Sequence, residues 1–218
     1  MILTNEVEAR AWVAALPGAN AAAMARLESL SALLAEENGH QNLVSAASLD
    51  QVWLRHIADS AQLLALAPEP TPGPWLDLGT GAGFPGLAIA ALRPRLDVVL
   101  VESRARRVEW LERAARELGL DKVRVVGTRL ERLETFPAAV ISARAFAPLD
   151  RLLDISARFS TRDTLWLLPK GRSARDEVEQ LTDWNHLFHV EQSFTDPEAG
   201  IIVGSVKSHS AGRKARRA

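Results

Sequence analysis

The 218-residue chain contains no cysteine and no tyrosine. Without a thiol there can be no disulfide, no thiolate metal site and no cysteine nucleophile. That lack is compatible with a cytosolic compartment, and no metal site is expected. No apolar run reaches the roughly 18 residues that a bilayer-spanning helix needs. The first residues, with Asn5, Glu6 and Glu8, do not have the make-up of a secretory signal, so a cytoplasmic protein without membrane attachment is the expectation. Lysine is scarce, four in all, and the cationic character rests on arginine, the better side chain for bidentate phosphate contacts and for stacking on bases. The formal charge of −1 hides an asymmetry: residues 1–74 hold three arginines against eight acids, about −5, and the remainder carries about +4.

The length suits one α/β domain with a modest extension and leaves no room for a second enzyme domain. Asn5 with Glu8 has capping-box spacing at the start of a first helix, which Pro17-Gly18 ends. Met24, Leu27, Leu30 and Leu34 recur at helical spacing in a second helix, closed by Asn38-Gly39. Ser48 with Gln51 marks the start of a third, on which Val52, Leu54, Ile57, Ala61 and Leu64 are apolar. These helices form an N-terminal extension over 1–70, and PEPTPGP (68–74) reads as a linker.

Over 71–207, strand patterns at 75–79, 97–102, 123–126, 138–143, 164–168, 186–194 and 200–206 alternate with helix patterns at 85–92, 103–118, 148–159 and 173–181. The first five strands are separated by crossover-length connections, which implies a parallel sheet covered on both faces. The last two are joined through TDPEAG without a helix and should be antiparallel. The expected fold is therefore a seven-stranded α/β sheet, mostly parallel with an antiparallel last strand. This is the arrangement usual in class I methyltransferases that use S-adenosylmethionine. The basic end SAGRKARRA, within 208–218, is expected to be a disordered tail.

The stretch WLDLGTGAGFPG (75–86) decides which ligand the first loop suits. Gly81, Gly83 and Gly86 satisfy the dinucleotide pattern G-x-G-x-x-G. Against a pyrophosphate stand Asp77, whose carboxylate would repel it, and Pro85, which has no N–H to give at the helix start. No lysine follows the glycines, which excludes a Walker-type phosphate loop. S-adenosylmethionine, with a sulfonium and an ammonium group and no phosphate, turns these objections round. Asp77 would favour its cationic portion, Gly79, Gly81 and Gly83 would admit it to the backbone, and Phe84 would wall the pocket. Glu102, at the end of the second strand, could accept both ribose hydroxyls. Leu130 and Glu131 could border the adenine.

The acceptor is narrowed by absences. Without cysteine there is no covalent attack on a pyrimidine ring, and no Asn/Asp-Pro-Pro-aromatic motif follows the fourth strand. Instead, Arg144 in ISARAFAP and Lys170 in LLPKG stand at neighbouring strand ends, so the acceptor edge is expected to be cationic. An acceptor with a free lone pair, such as guanine N7, needs no general base, and positioning would carry the reaction. Arg55 and His56 in LRHIADS join Lys170 as candidates for RNA contact, although a lone histidine on a helix is more often a packing or capping residue.

In order and spacing, NLVS, RHIADS, LDLGTGAGFPGLAIA, VISARAFAPL and LPKG resemble the bacterial 16S ribosomal RNA guanine-N7 methyltransferases, the RsmG (GidB) family. The resemblance runs from about residue 42 to 206. It implies the class I fold with a helical extension, S-adenosylmethionine as donor, and a guanine in the 530 loop of 16S RNA (guanine 527 in customary numbering) as target, reached in a small ribosomal subunit or its precursor by a monomeric enzyme. It also implies cofactor contacts at Gly79, Phe84, Leu130, Glu131 and Arg144. Two other readings compete: a class I methyltransferase for a small molecule or protein, and a regulatory protein that binds S-adenosylmethionine or NAD without turnover.

Overall fold

The computed structural model describes residues 1–209, and side chains through residue 207. From 210 onward, the tail expected over 208–218 lies outside the described residues. The strands are β1 (Trp75–Leu78), β2 (Val98–Glu102), β3 (Val123–Gly127), β4 (Val140–Ala143), β5 (Leu165–Lys170), β6 (Trp184–His186), β7 (His189–Gln192), β8 (Gly200–Gly204) and β9 (Val206–His209). Seven of them build one sheet in the order β3-β2-β1-β4-β5-β8-β7. β1 pairs in parallel with both β2 and β4, β2 with β3, and β4 with β5. β8 runs antiparallel to β5 and β7, where a short link replaces the crossover helix.

The chain returns past β1 between β3 and β4, so a crevice opens at the carboxyl ends of β1 and β4, the switch point where α/β sheets bind ligands. One expectation needs correction. The strand expected over 186–194 is two: β6 leaves the main sheet to pair with β9, and β7 stays on β8. The break falls at Leu187 and Phe188, where the chain passes so close to Gly204 that a β-carbon there would lie 2.3 Å from the Leu187 carbonyl oxygen.

The N-terminal helices follow their caps. In α1 (Glu6–Ala14), Asn5 Oδ1 accepts the Glu8 N–H at 2.9 Å, and the Glu8 carboxylate accepts the Thr4 N–H at 2.8 Å. The capping box thus closes one residue earlier than its spacing suggests. Asn20 caps α2 (Ala21–Asn38), which buries Ala23, Leu27, Leu30 and Leu34. The cap expected at Ser48 lies at Ser45, whose Oγ accepts the Ser48 N–H at the head of α3 (Ala46–Leu49). A π-helical turn over Trp53–Ala58 then runs through α4 (Asp59–Ala61) into a 3-10 turn, Gln62–Ala65. The Glu6 carboxylate accepts the N–H groups of Trp53 and Leu54 (3.0 and 2.7 Å), tying α1 to the head of the π-turn.

Alternation along the strands divides the core. Trp75, Leu100, Val140, Leu167 and Ile201 face α5 (Gly86–Leu92), α6 (Ala105–Glu117) and the N-terminal helices, and share one core with Leu27, Leu30 and Ile57. Leu76, Leu78, Val101, Ile141 and Trp166 face α7 (Leu149–Ser156) and α8 (Ala174–Glu179). The extension therefore covers one face of the sheet. Among the described residues no helix is long and apolar enough to cross a membrane.

Asp77 is the one acid inside β1, and it is fully buried. Its Oδ2 accepts the Gly86 N–H at 3.0 Å and its Oδ1 the Ser142 hydroxyl at 2.8 Å, while the Ser142 oxygen accepts the Trp75 indole N–H at 2.8 Å. Gly86 permits this approach, since a β-carbon there would sit 2.9 Å from Asp77 Oδ2 and 2.1 Å from Leu100 Cδ2. Burial pushes the Asp77 carboxyl up to about 6 against these hydrogen bonds, from an ordinary value of 3.8. The folded protein thus holds this proton more tightly than the unfolded chain. The resulting stabilisation is full below 3.8 and is lost as pH rises through 6. In denaturant unfolding, the stability of the wild type relative to Asp77→Asn is expected to fall by about 2 kcal/mol between pH 4 and pH 7. A pH-independent difference would contradict the raised value.

Candidate active site

Two clefts open at the carboxyl ends of the strands. The first, of about 450 Å³, includes Gly79, Glu102, Leu130, Glu131 and Phe146. Glu102 ends β2 and is 7% exposed. Its Oε1 accepts the N–H groups of Ser103 (2.7 Å) and Arg104 (2.9 Å), which aims the other oxygen toward Arg107, 3.8 Å away. Leu130 is buried at the start of a 3-10 turn, Leu130–Arg132, that follows β3. Gly79 turns the chain off β1 with φ +61°, and a β-carbon there would lie 2.1 Å from Cδ2 of Phe146. The exposed arginines Arg104, Arg129 and Arg151 also line this cleft.

The second cleft, of about 330 Å³, lies between the π-turn, the ends of β4 and β5, and the loop before β8. It brings together Arg55, His56, Asp59, Arg144 and Lys170. Arg144 donates to Asp59 Oδ2 (3.1 Å), to the Arg55 carbonyl (3.0 Å) and to His56 Nδ1 (3.0 Å), and its guanidinium lies over the Phe84 ring, 5.5 Å from the centroid. Asp59 Oδ1 accepts from Gln62 and from the Thr195 hydroxyl. The buried Gln62 amide accepts the Phe194 N–H at 2.8 Å. These bonds fasten the extension to the end of the sheet beside the cleft. Ala145 lines both clefts.

A guanidinium can only donate, so His56 Nδ1 is the acceptor and the ring hydrogen sits on Nε2. That nitrogen is buried with no hydrogen-bond partner among the described residues. The ring stacks on Phe84, with centroids 5.1 Å apart. Desolvation, and the guanidinium charges of Arg144 and Arg55, hold the imidazole down to about 3.

The geometry brings Gly79, Glu102, Leu130 and Glu131 into one cleft, with Gly81 nearby facing Arg107. Four other candidates lie outside that lining or are already paired. Asp77 lies beneath the glycine loop, bonded to Gly86 and Ser142, and meets neither cleft. Gly83 is directed into the core, where a β-carbon would lie 2.4 Å from Leu87 Cδ1. Phe84 is buried under Arg144 and His56 and does not wall the first cleft. Lys170 is no free cation, for its ammonium donates to Glu177 (2.8 Å) and to the Ala147 carbonyl (2.7 Å). Arg144, expected to touch the cofactor, lines the second cleft and not the first. Arg55 is half-exposed there and pairs with Asp196 at 3.4 Å.

Three residues of the site stand outside the sequence reading. Ser142 was signalled only by a lone hydroxyl in the apolar strand VISA, Asp59 by its place in RHIADS, and Phe146 by an aromatic in ARAFAP. Among the described residues no cluster of three or more His, Asp or Glu side chains could hold a metal ion.

The model of the GidB family, described as rRNA small subunit methyltransferase G, matches residues 23–199. A protein named ribosomal RNA small subunit methyltransferase G from Novosphingobium aromaticivorans is 59% identical over 94% of this chain and 90% of its own length. One of the same name from Rhizorhabdus wittichii is 51% identical over 98% and 99%. Among solved structures, a putative O-methyltransferase from Klebsiella pneumoniae superposes with a TM-score of 0.59 over 94% of this chain and 97% of its own, at 15% identity. A SAM-dependent methyltransferase from Aquifex aeolicus gives 0.56 over 69% and 90%, also at 15% identity. These two likenesses bear on the fold, a class I methyltransferase sheet.

His56 is neutral in the fold, so the stability it confers is full above about 6.5 and is lost as pH falls toward 3, opposite in sign to Asp77. By pH 5 about 2 kcal/mol is withdrawn. In ¹⁵N NMR the ring is expected to keep its neutral Nε2–H pattern from pH 8 to pH 5. An inflection near 6.5 would contradict this.

Proposed function

The chain belongs to the GidB family of small-subunit ribosomal RNA methyltransferases, and on that premise we propose that it methylates N7 of a guanine in 16S ribosomal RNA with S-adenosylmethionine as donor. The observation that carries this reading is the extent of the family match. Residues 23–199 take in the whole first cleft and all of the second except Gly200 and Ile201.

The first cleft suits the donor. Glu102 keeps one carboxylate oxygen for ribose hydroxyls, Gly79 and Gly81 offer bare backbone, and Leu130 with Glu131 borders the place for a flat base. When bound, S-adenosylmethionine supplies a methyl group made electrophilic by its sulfonium. Asp77 serves this site at one remove, by holding the Gly86 N–H and so the shape of the loop.

The second cleft suits an acceptor that needs no base. Guanine N7 carries its lone pair at neutral pH, so the residues have only to orient it. His56 is consistent with that task, since its basic nitrogen is already engaged by Arg144. The arginines at the first cleft, Arg104, Arg129 and Arg151, are placed to meet RNA phosphates. We further assign the enzyme to the cytoplasm as a monomer, with the 530 loop of a small subunit or its precursor as target.

The test is transfer of labelled methyl from S-adenosylmethionine to unmethylated small subunits and to their deproteinised RNA. N7-methylguanosine at one site in 16S RNA is the expected product. Binding of S-adenosylmethionine without transfer to either substrate would overturn the proposal.

A further inference from the structure

Phe146 is an exposed aromatic at a place where exposure costs something. It is 37% exposed, beside Met1, Val7 and Leu187 as the other large apolar side chains left in solvent among the described residues. Apart from the imidazole of His56, it is also the one aromatic side chain lining either cleft. The chain has no tyrosine. Trp75, Trp110 and Trp166 are buried in the core, and Phe84 is covered by Arg144 and His56.

The backbone explains the position. Ala145 has φ +51°, in the left-handed region that residues other than glycine seldom adopt. Its neighbours accordingly go to different clefts, Arg144 to the second and Phe146 to the first. There the Phe146 ring rests on Gly79, over the bare backbone that a donor would approach. A ligand reaching Gly79 has to move the ring, which is borne one residue past Ala145, where the two clefts meet. At that boundary a guanine must present N7 to the donor. A base that receives chemistry has to leave its stack, and an unstacked base is held by the face of an aromatic side chain.

We propose that Phe146 is the positioning residue for the target guanine: its ring covers Gly79 in this conformation, yields that place to the donor, and stacks on the guanine at the junction of the clefts. The proposal rests on the methyltransferase reading above. It makes donor binding the event that frees the aromatic face for the acceptor.

Calorimetry with S-adenosylmethionine and steady-state transfer to unmethylated small subunits, on wild type and on Phe146→Ala, Phe146→Leu and Phe146→Tyr, test it. For Phe146→Ala, donor affinity is expected to equal or exceed that of wild type, because the ring no longer occupies Gly79. Its kcat/KM for subunits is expected to fall roughly 5- to 150-fold, the range of one base–aromatic stack. Phe146→Tyr should stay within a few-fold of wild type, and Phe146→Leu should follow the alanine variant. Undiminished transfer by Phe146→Ala, or a loss of donor affinity that matches the loss of transfer, would overturn the proposal while leaving the methyltransferase reading intact. A wild type that binds donor but makes no N7-methylguanosine would overturn both.

Discussion

Asp77 sets a fully buried carboxylate between β1, β4 and the first turn of α5, and the far end of the glycine loop is anchored on it. One oxygen takes the Gly86 N–H, and the other takes Ser142, which in turn holds Trp75 across the strands. An apolar residue here would strand buried donors, at about 1–3 kcal/mol each. The closeness of α5 to β1 follows from the same contact, because only a residue without a β-carbon fits at position 86. The start of the loop is held against β2 by the Thr80 N–H, which donates to the Val101 carbonyl at 3.1 Å beside Gly79 and Glu102.

Much of the architecture was legible in the sequence because crossover lengths and apolar alternation are local signals. The reversal at the last strands was readable from TDPEAG alone. The split into β6 and β7 was not, because it depends on Leu187 passing close to Gly204 across a sequence gap. Ser45 and Ser48 offer similar cap chemistry, and the chain uses the earlier one. The π-turn left no trace either, as Leu54 and Ile57 would be buried on an α-helix or a π-helix alike.

The site shows the same boundary between local and distant information. Glu102, Gly79, Leu130 and Glu131 could be placed because strand ends converge by topology. Asp77 lies inside β1, two residues before Gly79, which keeps it below the loop and bonded to Gly86. Lys170 stands as a strand-end cation in LLPKG, and nothing in that stretch reveals that α8 brings Glu177 within 2.8 Å. With Arg144 on Asp59 and Lys170 on Glu177, both strand-end cations are compensated. The exposed arginines Arg104, Arg129 and Arg151 line the other cleft.

The second cleft has walls of different origin. One is the π-turn of the N-terminal extension, with Arg55, His56 and Asp59, and the other is the sheet, with Arg144, Lys170 and the segment before β8. The first cleft, by contrast, is lined entirely by the sheet unit and its loops. On the assignment proposed above, a change in the helical wall therefore reaches the acceptor cleft and leaves the lining of the donor cleft as it is.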